Sequence, residues 1–99
     1  MPKILAEDGH VDQVTQVFAT YDGLDHLRIR RRADLLVVES GPVNDPVSHA
    51  RFRRIAAHMW GLEMATHTGR WQPSGASGPL EPLVETLIQD FGWTLSRIV

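Results

Sequence analysis

Leu62-Glu-Met-Ala-Thr-His-Thr-Gly-Arg-Trp-Gln72 is the stretch of this 99-residue sequence that says most about its fold. A glycine suits the second central position of a tight turn, because it adopts a positive φ without steric cost. A turn at Thr68-Gly69 places Thr66 opposite Trp71. The segment is therefore predicted to form a β-hairpin.

Side chains alternate between the two faces of a strand, so this hairpin has one apolar and one polar face. The predicted apolar face carries Leu62, Met64, Thr66 and Trp71. The predicted polar face carries Glu63, Ala65, His67, Arg70 and Gln72. We interpret the first face as part of the core and the second as the densest group of functional side chains in the chain.

A second hairpin is predicted over residues 26–40, where apolar residues alternate with arginines before a strand-forming run at 35–38. A turn at Arg32-Ala33 would pair Ile29 with Leu36 across the two strands. Because the turn lacks the Asn-Gly or Asp-Gly dipeptide of tight hairpins, a longer, irregular loop is the alternative.

Three further segments show the three- and four-residue spacing of apolar side chains that is typical of amphipathic helices. They cover residues 9–21, 45–60 and 80–91. The second has an alternative interpretation, since residues 50–57 could also form a strand. Asp45-Pro46 as a helix start and Gly61 as a helix end favour the helix.

The remaining segments complete the predicted topology. Residues 73–79 lack periodicity and are predicted to form a turn-rich connector. Residues 93–99 could add a short strand or pack beneath the helices. The order is then αββαββα, an antiparallel sheet built from two hairpins with three helices against it. This is an α+β fold, and the length predicts a single domain spanning residues 1–99.

Composition argues against several classes of protein. The sequence has no cysteine, which excludes disulfides, cysteine-ligated zinc and thiolate catalysis. It also has no apolar run long enough for a membrane span or a signal peptide, so we expect a soluble, cytoplasmic protein without a membrane partner. No nucleophile elbow, phosphate-binding loop or His-Glu-x-x-His motif occurs, and we expect no cofactor.

Arginine is the main electrostatic feature of the chain. Seven of the arginines fall in two clusters, Arg28, Arg30, Arg31 and Arg32, and Arg51, Arg53 and Arg54. As a nucleic-acid interface, the side chains expected to contribute are Arg28, Arg30, Arg32, Arg51 and Arg54. A net charge of −2 and the absence of an aromatic-interleaved motif favour solvated surface instead, so nucleic acid is not the expected partner.

The polar face of the 62–72 hairpin offers a second candidate site. Glu63, His67 and Arg70 could act as an acid–base group with an anion clamp, joined by His58 as a further ligand-binding residue. Glu63, His67 and His58 could also converge on a metal ion, but their spacing matches no metal motif, and we expect none. The alternative is an ordinary solvated sheet face.

The strand at residues 35–38 carries apolar side chains on both of its faces, so both faces need cover. A second copy of the chain could supply it, since two-fold dimers are the commonest oligomers. We therefore expect a non-enzymatic binding or interaction protein that forms a homodimer. The alternatives are a small enzyme or ligand-binding domain using Glu63, His67 and Arg70, and a weak nucleic-acid binder using the arginines.

Overall fold

The computed structural model of the protein describes residues 4–66 and 68–95, which form one five-stranded antiparallel sheet and two α-helices. The elements are α1 (Asp8–Ala19), β1 (Arg28–Arg32), β2 (Leu35–Ser40), β3 (Val47–Ala56), β4 (Met59–Ala65), β5 (Trp71–Gly78), α2 (Leu80–Asp90) and a 3₁₀ turn at Gly92–Leu95. The strands lie in sequence order, each bonded to the next. The α+β class is confirmed, but the order with three helices is wrong.

Both helices pack on the same face of the sheet. The core joins apolar side chains of the helices to alternate residues of the strands, including Val14, Phe18, Leu83 and Leu87 against Leu36, Phe52, Trp60 and Leu62. The helices predicted at 9–21 and 80–91 are confirmed to within one or two residues, the usual uncertainty of a helix end. The helical half of the core could therefore be predicted from the apolar stripes of these two helices.

The helix predicted over residues 45–60 is wrong. This segment forms β3, a tight turn at Ala57-His58, and the start of β4, so the strand alternative for residues 50–57 is the correct one. Ile55 and Met59, which the helix would have buried, are 57% and 40% exposed. The helical spacing arises only because the turn interrupts the strand alternation.

The first hairpin is confirmed, with its register displaced by two residues. Ile29 pairs with Val38 instead of Leu36, because the turn lies at Ala33-Asp34 rather than Arg32-Ala33. A shift of two residues keeps every side chain on its predicted face, since the strand period is two.

The second hairpin is also confirmed, but its register is displaced by one residue. Ala65 pairs with Trp71, and the Thr66 amide donates to the Arg70 carbonyl at 2.8 Å. The loop therefore has three residues, ending at Gly69 with φ 82°. A slip of one residue transfers side chains to the opposite face, and Trp71 lies on the face away from the helices instead of in the core.

The connector predicted at residues 73–79 is wrong, since residues 73–78 belong to the edge strand β5 and only Pro79 separates this strand from α2. An edge strand tolerates Pro73 because one side of its backbone needs no partner. The strand predicted within residues 93–99 is not formed at Gly92–Leu95, which is a 3₁₀ turn. Leu95 is buried in the core, in agreement with the alternative that this segment packs beneath the helices; residues 96–99 lie outside the described part of the chain. Within residues 4–66 and 68–95 the α-helices are α1 and α2, and neither is long and apolar enough to cross a membrane.

Candidate functional site

The face of the sheet opposite the two helices, here called the open face, is the candidate functional site. No helix in residues 4–66 or 68–95 packs on it. Because alternate residues of a strand share a face, β1 and β3 place five arginines on it, namely Arg28, Arg30, Arg32, Arg51 and Arg53. Three carboxylates bind these arginines, those of Asp34, Glu39 and Glu63.

The centre of the open face is apolar beneath the arginines. Val37 of β2 lies directly between Arg30 on one neighbouring strand and Arg51 on the other. It is only 4% exposed, because long arginine side chains cover apolar surface with their methylene stems. The sheet therefore has a second, thin apolar layer that the chain covers with its own arginines.

Glu39 organises the β1 side of the open face. Its carboxylate is buried and accepts hydrogen bonds from Nε of Arg28 and Nε of Arg30, each at 3.2 Å. Arg28 also donates to the carbonyls of Gly41 and Pro42, which occupies its terminal nitrogens. The terminal nitrogens of Arg30 have no hydrogen-bond partner in the described part of the chain.

Glu63 organises the β3 side in the same way. It accepts from Nε of Arg51 and, at 3.4 Å, from Arg53, whose other terminal nitrogen lies 3.2 Å from Asp34. The guanidinium of Arg51 also lies over the indole of Trp71, 4.2 Å from the ring centre. Ion pairs and stacking together fix the orientation of this guanidinium.

Between these two clusters lies a concavity of about 420 Å³, here called the arginine groove. Its walls are Arg30, Arg32, Arg51 and Arg53, its floor includes Leu35 and Val37, and Trp71 also lines it. Arg32 forms no ion pair with any of the described residues. The open face thus carries five guanidinium groups against three carboxylates, although the chain as a whole has a net charge of −2.

Four of the five arginines predicted for a nucleic-acid interface lie on the open face, and Arg54 does not. Its two terminal nitrogens donate to the carbonyls of Leu5 and Ala57, each at 2.8 Å, and the first of them also donates to the Glu7 carboxylate at 3.3 Å. Arg54 therefore fastens the segment before α1 to β3. Arg53 takes its place in the groove, because residues 51 and 53 share a face in a strand, whereas residues 51 and 54 share one in a helix.

Among the described residues of the second predicted site, Glu63 and His58 lie apart, and Glu63 does not pair with Arg70. His67 lies outside the described residues. Glu63 is bound by Arg51 and Arg53 rather than by Arg70, which is exposed in the loop before β5. His58 is exposed in the turn at the other end of β4, five residues and about 17 Å from Glu63 at the usual rise per residue.

The other histidines have structural contacts. His26 Nε2 lies 2.9 Å from the Leu95 carbonyl, and His49 Nε2 lies 2.7 Å from the Ser40 hydroxyl, which ties the 3₁₀ turn and β3 to their neighbours. His10 packs edge-to-face on Trp60, with ring centres 4.9 Å apart. Within residues 4–66 and 68–95, no three His, Asp or Glu side chains are placed to hold a metal ion together.

A second concavity, of about 480 Å³, lies between the start of α1, the Ala57-His58 turn and the start of α2. His10 lines it, and the pKa of His10 is lowered from its ordinary value by burial and by the charge of Arg54, against the opposing effect of Glu7. Nδ1 of His10 accepts the Glu7 amide at 3.0 Å, which is the reciprocal half of a helix cap. This histidine therefore has a structural task at the helix start.

Comparisons with protein-family models, with curated proteins and with solved structures find no match for this chain.

Proposed function

We propose that the protein is a non-enzymatic binding protein that holds the phosphate backbone of a nucleic-acid strand on its open face. The observation that carries this proposal is the arginine groove, in which four guanidinium groups line a concavity on a sheet face that neither described α-helix covers. A guanidinium binds phosphate oxygens through parallel hydrogen bonds, and arginine is the residue most used for this purpose.

Several guanidinium N–H groups in the arginine groove are available to a ligand. The terminal nitrogens of Arg30 and Arg51, and the whole guanidinium of Arg32, have no hydrogen-bond partner among the residues that the structure describes. Glu39 and Glu63 hold Arg30 and Arg51 through Nε and leave those terminal nitrogens for a ligand. Side chains that are already held in place lose less conformational entropy when they bind.

The distribution of charge supports a polyanionic ligand. Of the 12 acidic residues in the sequence, three lie on the open face, while both helices carry carboxylates on the other side, among them Asp12, Glu81 and Glu85. The net charge of −2 favours a protein that does not bind polyanions, but it sums the positive charge of the open face and the negative charge of the helix side. Local potential, not the average, steers a charged ligand to a surface.

The same chemistry favours binding over catalysis. A guanidinium remains protonated throughout the physiological pH range, so it supplies charge and hydrogen bonds but no general base. The carboxylates of Glu39 and Glu63 are both engaged in ion pairs.

The test is a titration of labelled single-stranded and duplex DNA by fluorescence anisotropy at several salt concentrations. Binding should weaken as salt rises, because each neutralised phosphate releases a counterion. Arg32→Gln should weaken binding and reduce the slope of log K against log salt by about 0.7 for a single strand. No ion pair with the described residues is lost in this variant, so its fold should be retained.

Arg31→Gln is the matched control. Arg31 is the next residue of the same strand, but it points to the helix side and pairs with Asp8 at 2.9 Å. This variant should bind nucleic acid as the unaltered protein does. Equal losses in both variants, or no binding at low salt by the unaltered protein, would contradict the proposal.

A further inference from the structure

We infer that Arg51 and Trp71 form a stacking platform for a nucleobase, so that the open face takes single-stranded rather than double-stranded nucleic acid. This inference rests on the proposed function and names the form of its ligand. Its physical basis is the contact of the Arg51 guanidinium with the Trp71 ring, 4.2 Å from the ring centre, at the arginine groove.

Trp71 is placed as a ligand-facing aromatic residue and not as a core residue. Trp60 is 2% exposed within the core, whereas Trp71 is only half-buried and belongs neither to the core nor to the side chains packed against it. It lies on the edge strand β5, and the residue paired with it on β4 is the small Ala65. The residue directly across from the indole is therefore small, and the described side chain that stacks on the indole is that of Arg51.

Arg51 adds a second planar group to the platform. Its side chain is 16% exposed, and Glu63 holds its Nε while Trp71 supports its guanidinium. Unpaired bases stack on aromatic rings and on guanidinium planes alike. A base placed here would bring its own phosphate next to Arg53 and the other arginines of the groove, whose volume of about 420 Å³ is in the range of small-ligand pockets.

The form of nucleic acid follows from this geometry. Phosphate contacts alone are equally available from single strands and duplexes, but in a duplex both faces of a base are covered by its neighbours. A stacking platform can act only on a base that has left the stack. Single strands should consequently bind more tightly than duplexes of equal charge.

The experiment compares a labelled thymidine oligonucleotide with an abasic oligonucleotide of the same length and charge. The unaltered protein should bind the first about fivefold or more tightly, the effect of one stacked base. Trp71→Leu should reduce thymidine-strand binding to the abasic level and leave both abasic binding and the salt slope unchanged. Trp71→Phe, which keeps an aromatic ring, should retain a preference for the strand with bases, and circular dichroism checks that both variants are folded.

The outcomes separate the two proposals. Equal affinity for both oligonucleotides, unaltered by Trp71→Leu, overturns the stacking platform and leaves phosphate binding standing. Equal affinity for single-stranded and duplex DNA likewise overturns the platform. If neither oligonucleotide binds at low salt, the proposed function itself is wrong.

Discussion

Ala33 is the one non-glycine residue in the described part of the chain with a positive φ, 53°. It occupies the first central position of the turn between β1 and β2, where glycine is preferred when φ is positive. An L-residue in this region costs about 1–2 kcal/mol. The turn also anchors the segment before α1, since the Ala6 amide donates to the Ala33 carbonyl at 2.9 Å.

Ala33→Gly should raise the free energy of unfolding by about 0.5–1 kcal/mol. Relief of the strained φ contributes about 1–2 kcal/mol, and the greater freedom of glycine in the unfolded chain offsets about 0.5–1 kcal/mol of it. Urea unfolding measures the difference. Ala57→Gly, in the turn between β3 and β4 where φ is not positive, is the matched control and should not stabilise the protein. A loss of stability in both variants would show that Ala33 is unstrained.

The face of the sheet on which Trp71 lies could not be predicted from the sequence. The hairpin, its glycine and the open-face position of Glu63 could all be predicted, because each follows from turn chemistry or alternation. The loop length could not, since two- and three-residue loops both accommodate Gly69. That one residue transfers Trp71 from the predicted core to the groove.

At the scale of elements, the start of α1 joins three parts of the fold. Glu7 and His10 form its capping box, and the His10 ring packs on Trp60 of β4. Arg54 of β3 lies beside this ring and fastens the chain just before the helix. The pKa of His10 reports on all three contacts.

The pKa of His10 should lie below the ordinary value of about 6.5, because burial and the Arg54 charge disfavour the protonated ring. The folded protein then binds this proton less readily than the unfolded chain does. The stability that neutral His10 contributes is therefore present above about pH 6.5 and is lost as the pH falls through that value toward the lowered pKa.

Titration of the histidine ring signals by NMR measures this pKa. Arg54→Gln should raise it by removing a positive charge, whereas Arg54→Lys, which keeps the charge, should leave it nearer its value in the unaltered protein. A midpoint at or above about 6.5 in the unaltered protein would contradict the prediction.

The helices and strands differ in how well they can be predicted from the sequence. The apolar stripe of α2 runs without interruption from Leu80 to Leu87, so its period could be recognised. In β3, arginines occupy both faces, Arg53 on the open face and Arg54 on the helix side, and their stems conceal the alternation. For β5 the composition is poor for a strand, and pairing with β4 overrides it.

At the scale of the whole molecule, the homodimer stays a prediction, and we expect it to use the apolar surface near the turn between β3 and β4. Val37 is covered within one chain, so the two-sided strand no longer requires a partner. Among the exposed apolar residues, Ile55 and Met59 lie close together in sequence on either side of the turn between β3 and β4. Light scattering should give twice the chain's 11.1 kDa, and Ile55→Lys should halve that mass. Val43→Lys, in an exposed loop, is the control. A mass of 11.1 kDa at every concentration contradicts the dimer.

The strand order β1-β2-β3-β4-β5 also has a consequence for how the protein folds. Each strand pairs with its predecessor, so every step of sheet formation closes a short loop and the sheet can grow as a zipper from hairpin to hairpin. The helical layer cannot grow in this way, because α1 precedes all five strands and α2 follows them. We expect the assembled sheet without α2 to be the longest-lived incomplete species, because its apolar helix side stays exposed until Leu83 and Leu87 pack on it. A chain that ends before residue 80 would keep this apolar surface exposed, and we expect it to be the form that chaperones bind and proteases cleave.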